Sequence, residues 1–144
     1  MAVRYFEDLE VGQSAERTVT VQDQDIVAFA RVSGDHNPLH LDEEYARTTV
    51  FKSRIAHGML AGAYISATLA DQLPGPGAVY VAQTLNFKRA IRIGDAVRVQ
   101  VTVKSLDPKE GVAVLSTGCF VGRKSMVDGE ATVMVPRRPV EAAA

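Results

Sequence analysis

The chain predicts an α+β domain with an antiparallel sheet, and three observations carry that prediction. Apolar residues recur at helical spacing only before Pro74. A Pro-Gly-Pro-Gly run at 74–77 then closes the last helical segment. Beyond it, apolar and polar residues alternate singly in segments separated by short turns, as they do in strands with one buried face.

Taken in order, residues 1–12 are mixed in polarity, with Tyr5, Phe6 and Leu9 as anchors and Val11-Gly12 as a turn. Ala15 to Val21 alternates, with Arg17, Val19 and Val21 on one face and Glu16, Thr18 and Thr20 on the other, and reads as a strand. Thr20 followed by Asp23 resembles a capping box, and Ile26, Phe29, Ala30 and Val32 then continue at helical spacing. A second short helix is expected over Asp42 to Thr48, with Asp42 as cap and Glu43 and Glu44 in the first turn, where acids suit the helix dipole.

His57 to Leu73 is apolar or small around most of its circumference, so a helix there is buried rather than lying on a surface. After the 74–77 turn, Val79, Val81, Leu85 and Phe87 alternate with Tyr80, Thr84 and Asn86. Val97, Val99, Val101 and Val103 do so with Arg98, Gln100, Thr102 and Lys104. Val112 to Val121 is a more evenly apolar strand, and Ala131, Val133 and Val135 form the last. The tail from Arg137 to Ala144 carries no pattern and is expected to fray. The buried helix has to be enclosed by the sheet. A single layer of this size leaves its edge strands open, and pairing them across a two-fold axis predicts a homodimer.

Composition narrows the function classes. At 144 residues the chain fits one domain, with no linker or internal repeat dividing residues 1–144. A formal net charge of -1 gives no basic face for nucleic acid. No apolar run is long enough to span a bilayer and the first residues lack the apolar stretch of a signal peptide, so a cytoplasmic protein with no membrane partner is expected. Cys119 is the single cysteine, which excludes an internal disulfide and a thiolate metal cluster, and its apolar strand predicts an inert buried thiol.

The candidate chemistry sits in the run Ser33 to Ala46, SGDHNPLHLDEEYA. Pro38 fixes its own φ and pushes Asn37 toward extended backbone, so the chain must turn between Gly34 and Leu39. Asp35 and His40 are then not partners on one helical face, and if they meet, the turn brings them together. A carboxylate and an imidazole converging beside an apolar wall can position and deprotonate a water. Equally, Gly, Asp, Asn and Pro are what any tight turn uses. His36 and His40 have a ligand-like separation, but the Asn-Pro between them breaks the helical register, and Asp42, Glu43 and Glu44 are accounted for as a helix start; no metal is expected. Gly58, at the start of the buried helix, has two open readings, as a cap or as a bare amide able to hold a developing oxyanion.

With SGDHNPLH at 33–40, AHGML at 56–60 and FKRAIRIGD at 87–95 in this order, the chain resembles the MaoC-like (R)-specific enoyl-CoA hydratases from about Phe6 to Pro136. The resemblance implies the hot-dog fold, a long helix wrapped by an antiparallel sheet. It implies that Asp35 and His40 are the catalytic pair activating a water toward the β-carbon of a trans-2-enoyl thioester, and that the Gly58 amide binds the thioester oxygen. Asn37 then shapes the loop and Ser66 supports the aspartate, although a Ser in a buried helix has a structural reading too. The substrate implied is a thioester of coenzyme A or acyl carrier protein, with no separate cofactor. Lys88, Arg89 and Arg92 are placed to meet the pantetheine phosphates, or form a solvated sheet end. Two other functions stay open on this fold: a thioesterase, in which the same water attacks the thioester carbon, and a non-catalytic acyl-binding domain.

Overall fold

A computed structural model describes residues 4–140, so the readings made for residues 1–3 and 141–144 lie outside the described residues. After a single 3-10 turn at Phe6–Asp8 come strand β1 (Ser14–Thr20), helices α1 (Asp23–Ser33), α2 (Pro38–Leu41), α3 (Glu43–Arg47) and α4 (Gly58–Asp71), and strands β2 (Val79–Gln83), β3 (Asn86–Phe87), β4 (Ala96–Asp107), β5 (Val112–Val121) and β6 (Lys124–Met134). The strands form one antiparallel six-stranded sheet in the order β1-β4-β5-β6-β2, with β3 also on β6. This is the α+β arrangement that the alternation predicts.

The core lies between α4 and one face of that sheet. Val97, Val99, Val101 and Val103 are each at most 1% exposed and meet Leu60, Ala61, Ile65 and Leu69 of α4. Strict alternation puts all four valines on one face of β4, and burying a side chain of that size stabilises by about 1.5–3 kcal/mol. Cys119 is fully buried in the same core; burial pushes its thiol up to about 12, so it stays protonated and inert.

Three expectations need correction. The box opening α1 is made not by Thr20 and Asp23 but by Asp25, whose Oδ2 accepts the Gln22 backbone N–H at 2.9 Å. The strand expected through residues 79–87 is broken in two, and β2 does not alternate: Val79, Tyr80 and Val81 are 59%, 39% and 56% exposed. As the last strand of the sheet it has neither face covered. The sheet packs along α4 as expected, with Met59, Ala63 and Ala70 of that helix left exposed. Finally, residues 137–138 of the tail are tied down: the Arg138 backbone N–H donates to the Glu7 carboxylate, its guanidinium pairs with Asp8, and Arg137 donates to the Pro108 carbonyl. No helix among the described residues is long and apolar enough to cross a membrane.

Candidate active site

Local backbone chemistry builds the corner between α1 and α2. Gly34 ends α1 with φ +80, a conformation open to glycine, and its N–H bonds back to the Ala30 carbonyl. The Ser33 hydroxyl donates to the Phe29 carbonyl at 2.7 Å and accepts the Asp35 N–H at 3.1 Å. Asp35 Oδ1 accepts the Asn37 N–H at 3.2 Å, and Asn37 Oδ1 in turn accepts the Leu39 N–H at 3.1 Å, capping α2 with Pro38 at its first position. Asn37 thus shapes the loop. This short helix was not expected; proline suits a first turn, where no intrahelical acceptor awaits its missing N–H.

α2 carries His40, 8% exposed, into the interior. Its Nδ1 lies 2.8 Å from the Ile55 carbonyl oxygen, which can only accept, so Nδ1 carries a proton and, in the neutral ring, Nε2 holds the lone pair. Two further bonds lock the same segments together: Ile55 N–H to the Leu39 carbonyl, and Arg54 Nε to the His40 carbonyl at 2.6 Å. Arg54 also pairs with Asp23 of α1 at 2.7 Å.

The segment that receives His40 leads directly into α4. His57 is the N-cap and Gly58 the first helical residue, and no protein group among the described residues accepts from the Gly58 amide. A Cβ at Gly58 would lie 2.7 and 2.9 Å from ring carbons of Phe87, so glycine is what lets β3 pack against this amide.

A cavity of about 540 Å³ opens over these groups, lined by Asp35, His40, His57 and Gly58 and by the apolar side chains of Phe51, Met59, Phe87, Ile91 and Val127. Asp35, His40 and His57 each bring one ligand-capable atom within 4.8 Å of the others. One water making two hydrogen bonds of about 2.8 Å spans roughly 4.5 Å, so Asp35 and His40 can share a single water. A tetrahedral zinc with bonds near 2.05 Å would need its ligand atoms only about 3.3 Å apart. The trio would have to draw closer together to hold such an ion.

His57 is the residue that the sequence reading did not single out. It is 2% exposed, its Nε2 lies 3.0 Å from the Asp35 backbone carbonyl, and its ring stacks on His40 with centroids 4.0 Å apart and 30° between planes. Burial holds its pKa below the ordinary imidazole value, so it is neutral with the proton on Nε2. The one available signal was its place in AHGML, immediately before Gly58.

The remaining expected residues are less central. Ser66, half-buried on α4, makes no hydrogen bond to Asp35 among the described residues and does not line the cavity. Arg92 faces inward: its guanidinium donates to the Phe51 carbonyl at 2.8 Å and to the Ser53 hydroxyl, holding the loop that carries Phe51 over the cavity. Lys88 and Arg89 do border the cavity, but Lys88 pairs with Asp128 at 2.6 Å and Arg89 donates to the Ser125 carbonyl at 2.7 Å. The Lys88 bond, and after it the one from Asn86, hold the Asp128 carboxyl below its usual range.

Residues 7–118 match the model of the MaoC-like domain. The chain belongs to the MaoC-like family. Among its MaoC-like relatives is the (R)-specific enoyl-CoA hydratase of Rhodospirillum rubrum, 52% identical over 138 residues that cover 96% of both chains. The 3-hydroxybutyryl-CoA dehydratase of Methylorubrum extorquens is 49% identical over 96% of this chain and 88% of that one. An unliganded R-hydratase from Pseudomonas aeruginosa superposes with a TM-score of 0.88 at 48% identity, covering 97% of this chain and 92% of that one. The MaoC-like chain therefore has the hot-dog fold, with α4 as its central helix.

Proposed function

We propose that this protein adds water to trans-2-enoyl-CoA to give (R)-3-hydroxyacyl-CoA, and in reverse dehydrates it, as a hydro-lyase. The observation that carries the reading is the His40 tautomer. With Nδ1–H committed to Ile55, Nε2 is the His40 nitrogen left to act in a cavity that Asp35 and Gly58 also line, and the Gly58 amide has no acceptor among the described residues.

Water held between Asp35 and His40 attacks the β-carbon of the conjugated thioester. One of its protons passes to the pair as the C–O bond forms, and the electron pair of the C=C bond moves toward the thioester oxygen. The Gly58 N–H at the positive end of α4 receives that charge; one such donor contributes about 3–4 kcal/mol in comparable sites. A proton delivered to the α-carbon completes the addition, so the elements of one water end in the product and no cofactor is required. Proton transfer by a placed group contributes about 10²- to 10⁴-fold in rate. The apolar walls of the cavity suit the acyl chain, with the polar arm of coenzyme A, or of a carrier protein, left outside near Lys88 and Arg89.

Two finer points belong to the same reading. The exposed edge strand β2, together with the exposed apolar side chains Met59 at 57% and Phe87 at 55%, supports a homodimer that covers apolar surface. A cytoplasmic location fits a substrate whose charged coenzyme A moiety cannot cross a bilayer unaided.

Incubation with crotonyl-CoA tests the reading: loss of the enoyl absorbance, an (R)-3-hydroxybutyryl product and no free thiol are expected. Thiol release with no hydration would instead make it a thioesterase, and binding without turnover an acyl-binding domain.

A further inference from the structure

We propose that His57 is a positioning residue for this reaction, holding the Asp35 backbone through its Nε2–H and the His40 ring through stacking, in register with the Gly58 amide that follows it. This rests on the hydratase reading above.

Asp35 stands on residues 34–37, which belong to no helix or strand. Their hydrogen bonds are almost all local. Asp35 N–H goes to Ser33, Asn37 N–H to Asp35, the His36 ring to the Gly34 carbonyl, and the Asn37 carbonyl accepts from His40. Such bonds shape a loop without fixing where it sits on the rest of the protein. Among the described residues, the bond from His57 Nε2 to the Asp35 carbonyl is the one that ties residues 34–37 to a distant segment, 22 positions on.

The same imidazole touches the other partners. Its ring lies 4.0 Å from that of His40 and 4.8 Å from Phe29 of α1. Its backbone runs straight into Gly58, so a shift of His57 moves the oxyanion donor and both groups around the water together. A misplacement of about 1 Å in such a constellation costs on the order of 10²-fold in rate.

His57 Nδ1 sharpens the argument. It is buried with no hydrogen-bond partner among the described residues, an arrangement unfavourable to stability. A residue present only to fill space would lose nothing if phenylalanine replaced it, since the orphaned acceptor would vanish while a ring remained. A positioning residue gives the opposite signs: stability held or raised, turnover lost.

The test compares His57→Phe, which keeps a ring and loses the donor, with His57→Gln, which keeps a donor and loses the ring. Expected for His57→Phe are a thermal midpoint at or above that of the unaltered protein, kcat for crotonyl-CoA hydration down at least about tenfold, and KM changed less than about threefold. His57→Gln should regain part of the lost kcat. Unchanged kcat in His57→Phe, or a loss appearing only in KM, overturns the proposal. Because the chain has only three histidines, imidazole nitrogen NMR on the unaltered protein serves if a variant fails to fold. Neutral His57 with its proton on Nε2 at pH about 7 is required, and the other tautomer or the charged form refutes the proposal. If the unaltered protein does not hydrate crotonyl-CoA, the hydratase reading fails; activity unaffected by His57→Phe sinks this inference alone.

Discussion

The Ile55 carbonyl oxygen accepts the Nδ1 proton of His40 at 2.8 Å, and that bond decides which ring nitrogen is left to exchange a proton. It separates the structural half of the imidazole from the chemical half. In His40→Asn the side-chain amide can still reach Ile55, but no Nε2 remains. The thermal midpoint should stay within a few degrees of the parent while kcat falls by about 10²- to 10⁴-fold. Parallel melting and hydration assays check this.

Gly58 tests the amide. A methyl group there would meet Phe87 ring carbons at 2.7 and 2.9 Å, so Gly58→Ala forces either the ring or the start of α4 to move. Hydration should fall by at least about tenfold through displacement of the donor. Adding Phe87→Ala, which makes room for the methyl, should restore part of it; steady-state kinetics of the single and double variants give the comparison.

Arg92 and Arg89 should behave differently. Arg92 is bound to Phe51 and Ser53, so Arg92→Met removes charge-assisted hydrogen bonds worth about 1.5–3 kcal/mol each and loosens the loop over the cavity. It should lower the thermal midpoint and raise KM equally for coenzyme A and pantetheine thioesters. Arg89→Ala, at the cavity border, should raise KM for the coenzyme A thioester alone.

Stability should also depend on pH through His57. Its folded-state pKa is depressed below 6.5 by burial, so below that value the unfolded chain binds a proton that the folded chain refuses. This contribution is fully present above about pH 6.5 and is lost as pH falls toward the depressed value. Glu7 and Asp128, also held low, add the same sign of dependence only below their ordinary values of 4.5 and 3.8. Melting curves between pH 7.5 and 5 should show a falling midpoint in the parent and a flatter profile in His57→Phe.

Where the local pattern and the tertiary environment agreed, the fold was legible. Val97 to Val103 read correctly because β4 has one face on α4, and the pleat converts alternation directly into burial. Asp35, His40 and Gly58 were legible as residue types in tight motifs, and the structure brings all three to one cavity. Val79 and Val81 misled because an edge strand's burial is decided by what lies beyond the chain's own sheet. His57 and Arg92 were opaque for another reason. Their roles come from bonds to Asp35 and Phe51, 22 and 41 positions away, which no spacing rule reports.

The most direct test is the rate of crotonyl-CoA hydration in Asp35→Asn, beside the unaltered protein at equal folded concentration. The amide keeps the side chain's shape but can no longer take a proton from the shared water. Hydration reduced by about 10²-fold or more, with an unchanged thermal midpoint, is the predicted result; turnover at the parent rate would contradict an acid and an imidazole acting on one water.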